Sequence, residues 1–157
     1  MGKLENKVAV VTGAASGMGR AISVMYAQEG AKVVLADYNL EGAEEAAKEI
    51  IAAGGTALAV KADVADSNDI AAMIDTAISE YGSLDILVNN AGIMDSFEPV
   101  GEVTDENWER IFDVNTKGVM RAMRKAVNYW LENDKKGNII NVISTGGLNG
   151  AHAGGAY

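Results

Sequence analysis

The chain of 157 residues contains no cysteine and a single histidine, His152. The absence of cysteine excludes disulfides, thiol nucleophiles and cysteine-ligated metal sites together, and it fits a reducing compartment. A lone histidine argues against a zinc site, because zinc sites draw most of their ligands from cysteine and histidine. The sequence therefore predicts chemistry without a bound metal.

Long apolar stretches and an excess of basic residues are lacking too. No run approaches the roughly 20 apolar residues of a membrane span, and the opening MGKLENK is charged, unlike a signal peptide. The net charge of −9 argues against a nucleic-acid binder. With 48% hydrophobic and 22% charged residues the composition is globular. We expect a cytoplasmic protein, whose partner is neither a nucleic acid nor a membrane.

Short apolar runs alternate with helix-like segments along the whole chain. The predicted strands cover 7–11, 32–37, 56–63, 84–90 and 138–143, and the predicted helices cover 17–29, 40–53, 67–81, 104–112 and 116–131. Strict alternation at these lengths predicts βαβ units, and hence a parallel sheet with helices on both faces. The fold class is therefore α/β, in one domain over residues 1–157.

Apolar spacing also predicts which face of each helix is buried. The first helix is expected to use Ile22, Met25 and Tyr26. The second presents a row of small residues and the third a long apolar stripe: Ala43, Ala46, Ala47 and Ile50, then Ile70, Met73, Ile74, Ala77, Ile78 and Tyr81. The last run, NIINVI, is apolar nearly throughout, as in a strand covered on both faces.

A glycine-rich loop, TGAASGMG, lies between the first strand and its helix. Gly13, Gly17 and Gly19 allow a tight turn and a close approach to a pyrophosphate. The helix behind them offers free N–H groups and the positive end of its dipole. The alternative is a tight turn without a ligand, but the position after a strand and before a helix favours binding.

The spacing of this loop, T-G-x-x-x-G-x-G, resembles that of the short-chain dehydrogenase/reductase family. Further motifs agree in order and position: Asp37 after the second strand, Asp63-Val64 after the third, NNAG from Asn89 to Gly92, Asn115 in FDVNTKG, Ser144 after the fifth strand, and Tyr157 thirteen residues later. Each alone could be a turn former or a loop hydroxyl. Together they make the resemblance specific over the whole chain, and they disfavour a methyltransferase on a similar sheet.

The resemblance implies a Rossmann-type doubly wound sheet of strand order 3-2-1-4-5, with two further strands after the fifth. It also implies a dinucleotide site formed by Gly13, Ser16, Gly17, Met18, Gly19, Asp37, Asp63, Val64, Asn90, Ala91 and Gly92. The Asp37 carboxylate would accept bonds from the ribose hydroxyls and repel a 2′-phosphate, so we expect NAD rather than NADP. Arg20, just past the loop, is the one residue that favours NADP, because its positive charge could bind the 2′-phosphate.

The implied activity is hydride transfer between NAD(H) and a carbonyl or secondary alcohol. In the family the tyrosine moves the proton, the serine stabilises the substrate oxygen and the asparagine positions a relay water, which maps to Tyr157, Ser144 and Asn115. A lysine four residues after the tyrosine lowers its pKa in the family, and this sequence has no such position. We therefore expect the reading frame to continue past Tyr157. The alternative is a catalytically silent dinucleotide-binding fragment.

Substrate and assembly are less constrained. Sugars, polyols, steroids and 3-oxoacyl groups all remain open as substrates. His152 lies between Ser144 and Tyr157, where it could border the substrate or be a surface residue. The helix predicted over 116–131 is apolar on more than one face, which suggests a subunit contact and hence a homodimer or homotetramer.

Overall fold

The computed structural model describes residues 2–149. Five strands alternate with helices: β1 Val8–Thr12, α1 Gly17–Gln28, β2 Lys32–Asp37, α2 Leu40–Ala52, β3 Thr56–Lys61, α3 Ser67–Tyr81, β4 Ile86–Asn89, α4 Asp105–Phe112, a π-helical segment Asp113–Gly118, α5 Val119–Glu132, β5 Asn138–Asn141 and the short α6 Gly146–Asn149. The predicted α/β alternation is confirmed.

All strand pairs are parallel, and the order across the sheet is β3-β2-β1-β4-β5. Val10 in the central strand pairs with Val34 of β2 on one side and with Leu87 of β4 on the other. This is the doubly wound order that the motifs implied. The chain reverses its direction of winding between β1 and β4, so the loops that follow these two strands diverge and leave a crevice.

The sheet separates two apolar layers, because successive side chains of a strand point to opposite faces. Val8, Val10 and Val34 face α3 and α5, whereas Ala9, Val11 and Val33 face α1 and α2. All are almost completely buried. Burying one valine side chain contributes about 1.5–3 kcal/mol, so the sheet and its two helical layers form the main source of stability.

The predicted buried faces of α2 and α3 are confirmed. The four named residues of α2 are all buried, and in α3 the buried set is Ile70, Met73, Ile74 and Ala77, with Ile78 and Tyr81 partly buried. Asp66 caps α3 by accepting from the backbone of Asn68 and Asp69. Gly82 ends α3 in the left-handed conformation.

The predicted face of α1 is right for two of its three residues. Ile22 and Tyr26 are partly buried and pack against the core, whereas Met25 is 63% exposed. The fully buried residues of α1 are the small ones, Gly19, Ser23 and Ala27, which the apolar spacing did not predict. Ser23 satisfies its hydroxyl locally by donating to the Gly19 carbonyl at 2.8 Å.

The segment predicted as a separate helix over 116–131 is also different. The chain is helical from Asp105 to Glu132, and a π-helical turn, Asp113–Gly118, joins α4 to α5. At the far end of α5, Trp130 is buried and donates from Nε1 to the Leu84 carbonyl at 2.6 Å.

The fifth strand lies at the edge of the sheet formed by residues 2–149. Ile140 and Val142 are more than a third exposed and Ile143 is 75% exposed. The prediction that NIINVI is covered on both faces is therefore not met by the described part of the chain. Between residues 2 and 149, none of the helices is both long and apolar enough to cross a membrane.

Candidate functional site

A groove opens at the carboxyl ends of β1, β2, β3 and β4, at the point where the winding reverses. Its larger part is a cavity of about 960 Å³, and a second of about 740 Å³ continues toward the end of β5. Both parts share Met18 and the turn from Asn90 to Ile93. The dimensions are those of a small-molecule or cofactor site.

The structure brings most predicted cofactor residues together in the larger part. Those that line it are Gly13, Ser16, Met18, Asp37, Asp63, Val64, Asn90, Ala91 and Gly92. Gly17 begins α1 beside them, exposed, and Gly19 is buried behind the loop. Tyr38, which the motifs did not include, lines the same cavity and is 71% exposed.

The glycine loop has the backbone geometry that the pattern predicts. Gly13 adopts φ +65°, and a Cβ there would lie 2.9 Å from the Ala91 Cα. A Cβ at Gly19 would collide with the Gly13 carbonyl oxygen. Ser16, the N-cap of α1, makes no side-chain capping bond. The Ser16 side chain, which lines the groove, therefore does not occupy the first N–H groups of α1, and an anion bound there would be stabilised by them and by the helix dipole.

Asp37 fixes the conformation of that loop. Its Oδ2 accepts the Ala15 N–H at 2.9 Å, and its Oδ1 accepts the Asn39 N–H at 2.8 Å. Both carboxylate oxygens are thus engaged by the backbone, and each keeps a lone pair for a further donor. A negative charge stands at the place where the motif puts the ribose of a dinucleotide.

One basic residue lies beside this charge on the neighbouring strand: Lys61 pairs with Asp37 in the register of β2 and β3, and its Nζ lies over the Tyr38 ring, 5.7 Å from the centroid. Arg20 lies against α2, where its guanidinium donates to Glu49 Oε2 at 3.1 Å from Nε and 2.7 Å from Nη2. It is absent from the residues that line the groove. Among the described residues that line the larger cavity, Arg110 is basic, and it lies with three acidic residues, Glu106, Glu109 and Asp113.

Thr12 joins the two loops on either side of the crevice, and sequence reasoning did not single it out. Its Oγ1 accepts the N–H groups of Asn90 and Ala91, each at 3.0 Å, and donates to the Val88 carbonyl at 3.3 Å. In return Asn90 Nδ2 donates to the Thr12 carbonyl at 3.0 Å. The signal available in the sequence was a threonine at the end of a strand of mostly β-branched residues. The structure shows that this threonine is buried.

The loop from Asp63 to Ala65 forms the opposite wall. Ala65 N–H donates to Asp63 Oδ1 at 2.9 Å, and Asp63 N–H donates to Asp69 Oδ2 at 2.9 Å. These bonds tie the predicted adenine-contacting pair, Asp63 and Val64, to the start of α3.

Asn115 lies in the π-helical segment and clamps the turn after β4. Its Nδ2 donates to the Ile93 carbonyl at 2.8 Å, and its Oδ1 accepts the Ile93 N–H at 2.9 Å. π-Helical turns recur at functional sites. The same segment holds Asp113, whose pKa is lowered by a hydrogen bond from Lys117, 2.7 Å away, and by the charges of Lys117 and Arg121.

Ser144 lies in the smaller cavity with Asn115. Its Oγ accepts the Gly146 N–H at 3.1 Å, and the side chain is partly buried. Ile93, Met94 and Val119 line the same cavity. Tyr157 and His152 lie outside the described residues. Between residues 2 and 149 no three His, Cys, Asp or Glu side chains are grouped so that they could hold a metal ion.

Comparison with known proteins agrees with this geometry. Residues 7–157 match the family model described as short chain dehydrogenase. Over 154 residues the chain is 41% identical to 3beta-hydroxysteroid dehydrogenase 2 of Eggerthella lenta, covering 98% of this chain and 59% of that protein. It is 43% identical over 148 residues to galactitol 2-dehydrogenase of Agrobacterium fabrum, covering 94% and 56% respectively.

A solved structure has the same fold. A crystal structure of a short chain dehydrogenase from Mycobacterium smegmatis superposes with a TM-score of 0.95 at 36% identity, covering all of this chain and 66% of that one. The chain therefore spans a little under three fifths of the length of the curated relatives that it matches.

Proposed function

Because this chain belongs to the short-chain dehydrogenase family, we propose that the protein is an oxidoreductase that transfers a hydride between NAD(H) and a carbonyl or secondary alcohol. The observation that carries the proposal is the continuous groove, in which a dinucleotide-type loop at one end leads to Ser144 and Asn115 at the other.

The described residues fit a dinucleotide. A side chain at Gly13 or Gly19 would collide with the backbone of Ala91 or of Gly13, so both glycines are required for the close packing of the loop. The N–H groups at the start of α1 would bind the pyrophosphate. Asp37 would accept the adenosine ribose hydroxyls on its remaining lone pairs, and Asp63 and Val64 would hold the adenine.

We propose NAD(H) over NADP(H). The Asp37 carboxylate would repel a 2′-phosphate at the ribose. Arg20, just past the glycine loop, is engaged by Glu49 and does not line the groove. The support is therefore the negative charge of Asp37 together with the engagement of Arg20 elsewhere.

When bound, NAD would supply the acceptor for the hydride of the carbinol carbon. Ser144 Oγ is proposed to donate a hydrogen bond to the substrate oxygen, and Tyr157 to exchange a proton with that oxygen. Asn115 contributes by holding the Ile93 backbone, which keeps the floor of the smaller cavity in place. Both ends of the Asn115 side-chain amide are bonded to the Ile93 backbone, so a relay water at this place would need a hydrogen-bond partner in addition to Asn115.

The substrate is proposed to be a small secondary alcohol or ketone, and the protein a homodimer or homotetramer. The relatives named for a hydroxysteroid and for galactitol differ widely in polarity, so they indicate the reacting group rather than the substrate. Met120, Val127 and Leu131 are exposed on α5, as a subunit contact would require.

The test is a turnover assay of the full-length protein with NAD or NADP and a panel of sterols, cyclic alcohols and polyols. We expect NAD-dependent oxidation of at least one secondary alcohol, and loss of that activity in Ser144→Ala. NADH binding without turnover of any alcohol or ketone would favour the silent nucleotide-binding alternative.

A further inference from the structure

The π-helical segment and the first turn of α5 contact both loops that border the groove. Asn115 holds Ile93 on the side of Ser144. Three residues later, Gly118 and then Arg121 contact the loop of residues 63–65 on the opposite side. One rigid element therefore sets the positions of two loops that are far apart in sequence.

Gly118 makes a backbone-to-backbone contact with this loop. It is buried, and a Cβ built on it would lie 2.5 Å from the Val64 carbonyl oxygen and 3.3 Å from the carbonyl carbon. These are backbone atoms, which cannot rotate aside as the end of a side chain could. Any larger residue at position 118 must therefore displace the loop.

Arg121 holds the next peptide of the same loop. Its Nη1 donates to the Ala65 carbonyl at 2.7 Å, in a partly buried position. Hydrogen bonds from a charged donor are shorter and stronger than neutral ones. The N–H of Ala65 is in turn bonded to Asp63 Oδ1, so Arg121 secures a turn that includes the predicted adenine-contacting pair.

We propose that Gly118 and Arg121 are positioning residues for the adenosine end of the dinucleotide site. This inference rests on the proposed function. Neither side chain needs to touch the nucleotide, because Val64 and Ala65 line the larger cavity themselves. Displacing this loop would change the wall of the larger cavity, whereas Ser144 lines the smaller one.

The first experiment measures dissociation constants by calorimetry on the full-length protein for NADH, 5′-AMP and NMNH, which lacks the adenosine half. Arg121→Met should weaken NADH and AMP about tenfold, as expected for the loss of one charge-assisted hydrogen bond. NMNH binding, and kcat at saturating NAD, should change less than about twofold. Arg121→Lys should recover part of the affinity, because an ammonium can still donate to the Ala65 carbonyl.

Matched controls lie on the same chain. Arg124→Met removes the same charge from an exposed position of α5 and should leave all three constants unchanged. Gly118→Ala should reproduce the selective loss of NADH and AMP. Gly101→Ala should have no effect, because an added Cβ there meets nothing within 4 Å.

Equal weakening of AMP and NMNH by Arg121→Met would overturn the inference, since it would indicate a general structural role. Unchanged AMP binding in both Arg121→Met and Gly118→Ala would overturn it as well. If the unmodified protein binds neither NADH nor AMP, the proposed function falls and this inference falls with it. Normal binding by the unmodified protein together with unaffected variants overturns the inference alone.

Discussion

Removing the Asp37 carboxylate should change both cofactor preference and the stability of the glycine loop. In Asp37→Ala the Ala15 N–H loses its acceptor, and a partly buried donor left unpaired costs about 1–3 kcal/mol of folding stability. The ribose would lose a charged acceptor, worth at least about 1.5 kcal/mol, so the dissociation constant for NADH should rise tenfold or more.

NADPH binding should weaken less, because the repulsion of its 2′-phosphate disappears together with the bond. We therefore expect the ratio of the NADPH to the NADH dissociation constants to fall by about threefold or more. Asp37→Asn should be nearly as disruptive as Asp37→Ala. Both carboxylate oxygens accept backbone N–H groups, and an amide has only one oxygen, so its NH₂ would face either Ala15 or Asn39.

The assay is titration of the full-length variants with NADH and NADPH by the fluorescence of the reduced nicotinamide, with urea unfolding in parallel. Asp75→Asn is the control, because it removes the same charge from an exposed position on α3 that is paired with Lys125. An unchanged NADPH-to-NADH ratio in Asp37→Ala would refute the reasoning. So would tighter binding of NADPH than of NADH by the unmodified protein.

Three further predictions concern the two loops and the π-helical segment. Thr12→Val should lower the unfolding free energy by about 2–4 kcal/mol in a urea titration, because it strands two N–H groups; a loss under about 0.5 kcal/mol would contradict this. Asn115→Ala should reduce kcat/KM at least about tenfold by freeing Ile93, and an unchanged kcat/KM in steady-state kinetics would count against that role. The pKa of Asp113 is lowered mainly by its hydrogen bond from Lys117. The ionised pair therefore stabilises the fold above the ordinary carboxyl pKa, and this stabilisation is lost as the pH falls through the lowered pKa. Asp113→Asn should therefore be slightly less stable than the unmodified protein at about pH 7, and the difference should disappear as the pH falls below the lowered pKa of Asp113; a difference independent of pH would exclude this pair as its cause.

Helical spacing predicted the buried face of a helix correctly where that face consists of one kind of residue, either small or large and apolar. The stripe on α3 and the small-residue face of α2 follow directly from helical spacing, and both are buried as predicted. The strand order followed from motifs rather than from spacing. The glycine loop could be placed because its function requires a fixed position after a strand and before a helix.

Features that depend on tertiary contacts were not predictable in this way. The apolar spacing of α1 placed Met25 with Ile22 and Tyr26, but Met25 is exposed, and the small residues Gly19 and Ser23 are buried instead. The π-helical segment coincides with the bonds from Asn115 to Ile93, twenty-two residues away. Thr12 and Arg121 act on backbone groups of distant loops, and no local pattern marks such contacts.

The central claim is that a hydride passes from the substrate carbon to the cofactor. It is tested most directly by supplying the full-length protein with NAD and a secondary alcohol deuterated at the carbinol carbon. The mass of the NADH formed is then measured. We predict that the NADH carries a single deuterium and that Tyr157→Phe, in which the phenolic proton is missing, forms far less of it. Unlabelled NADH, or undiminished formation of labelled NADH by Tyr157→Phe, would contradict the account.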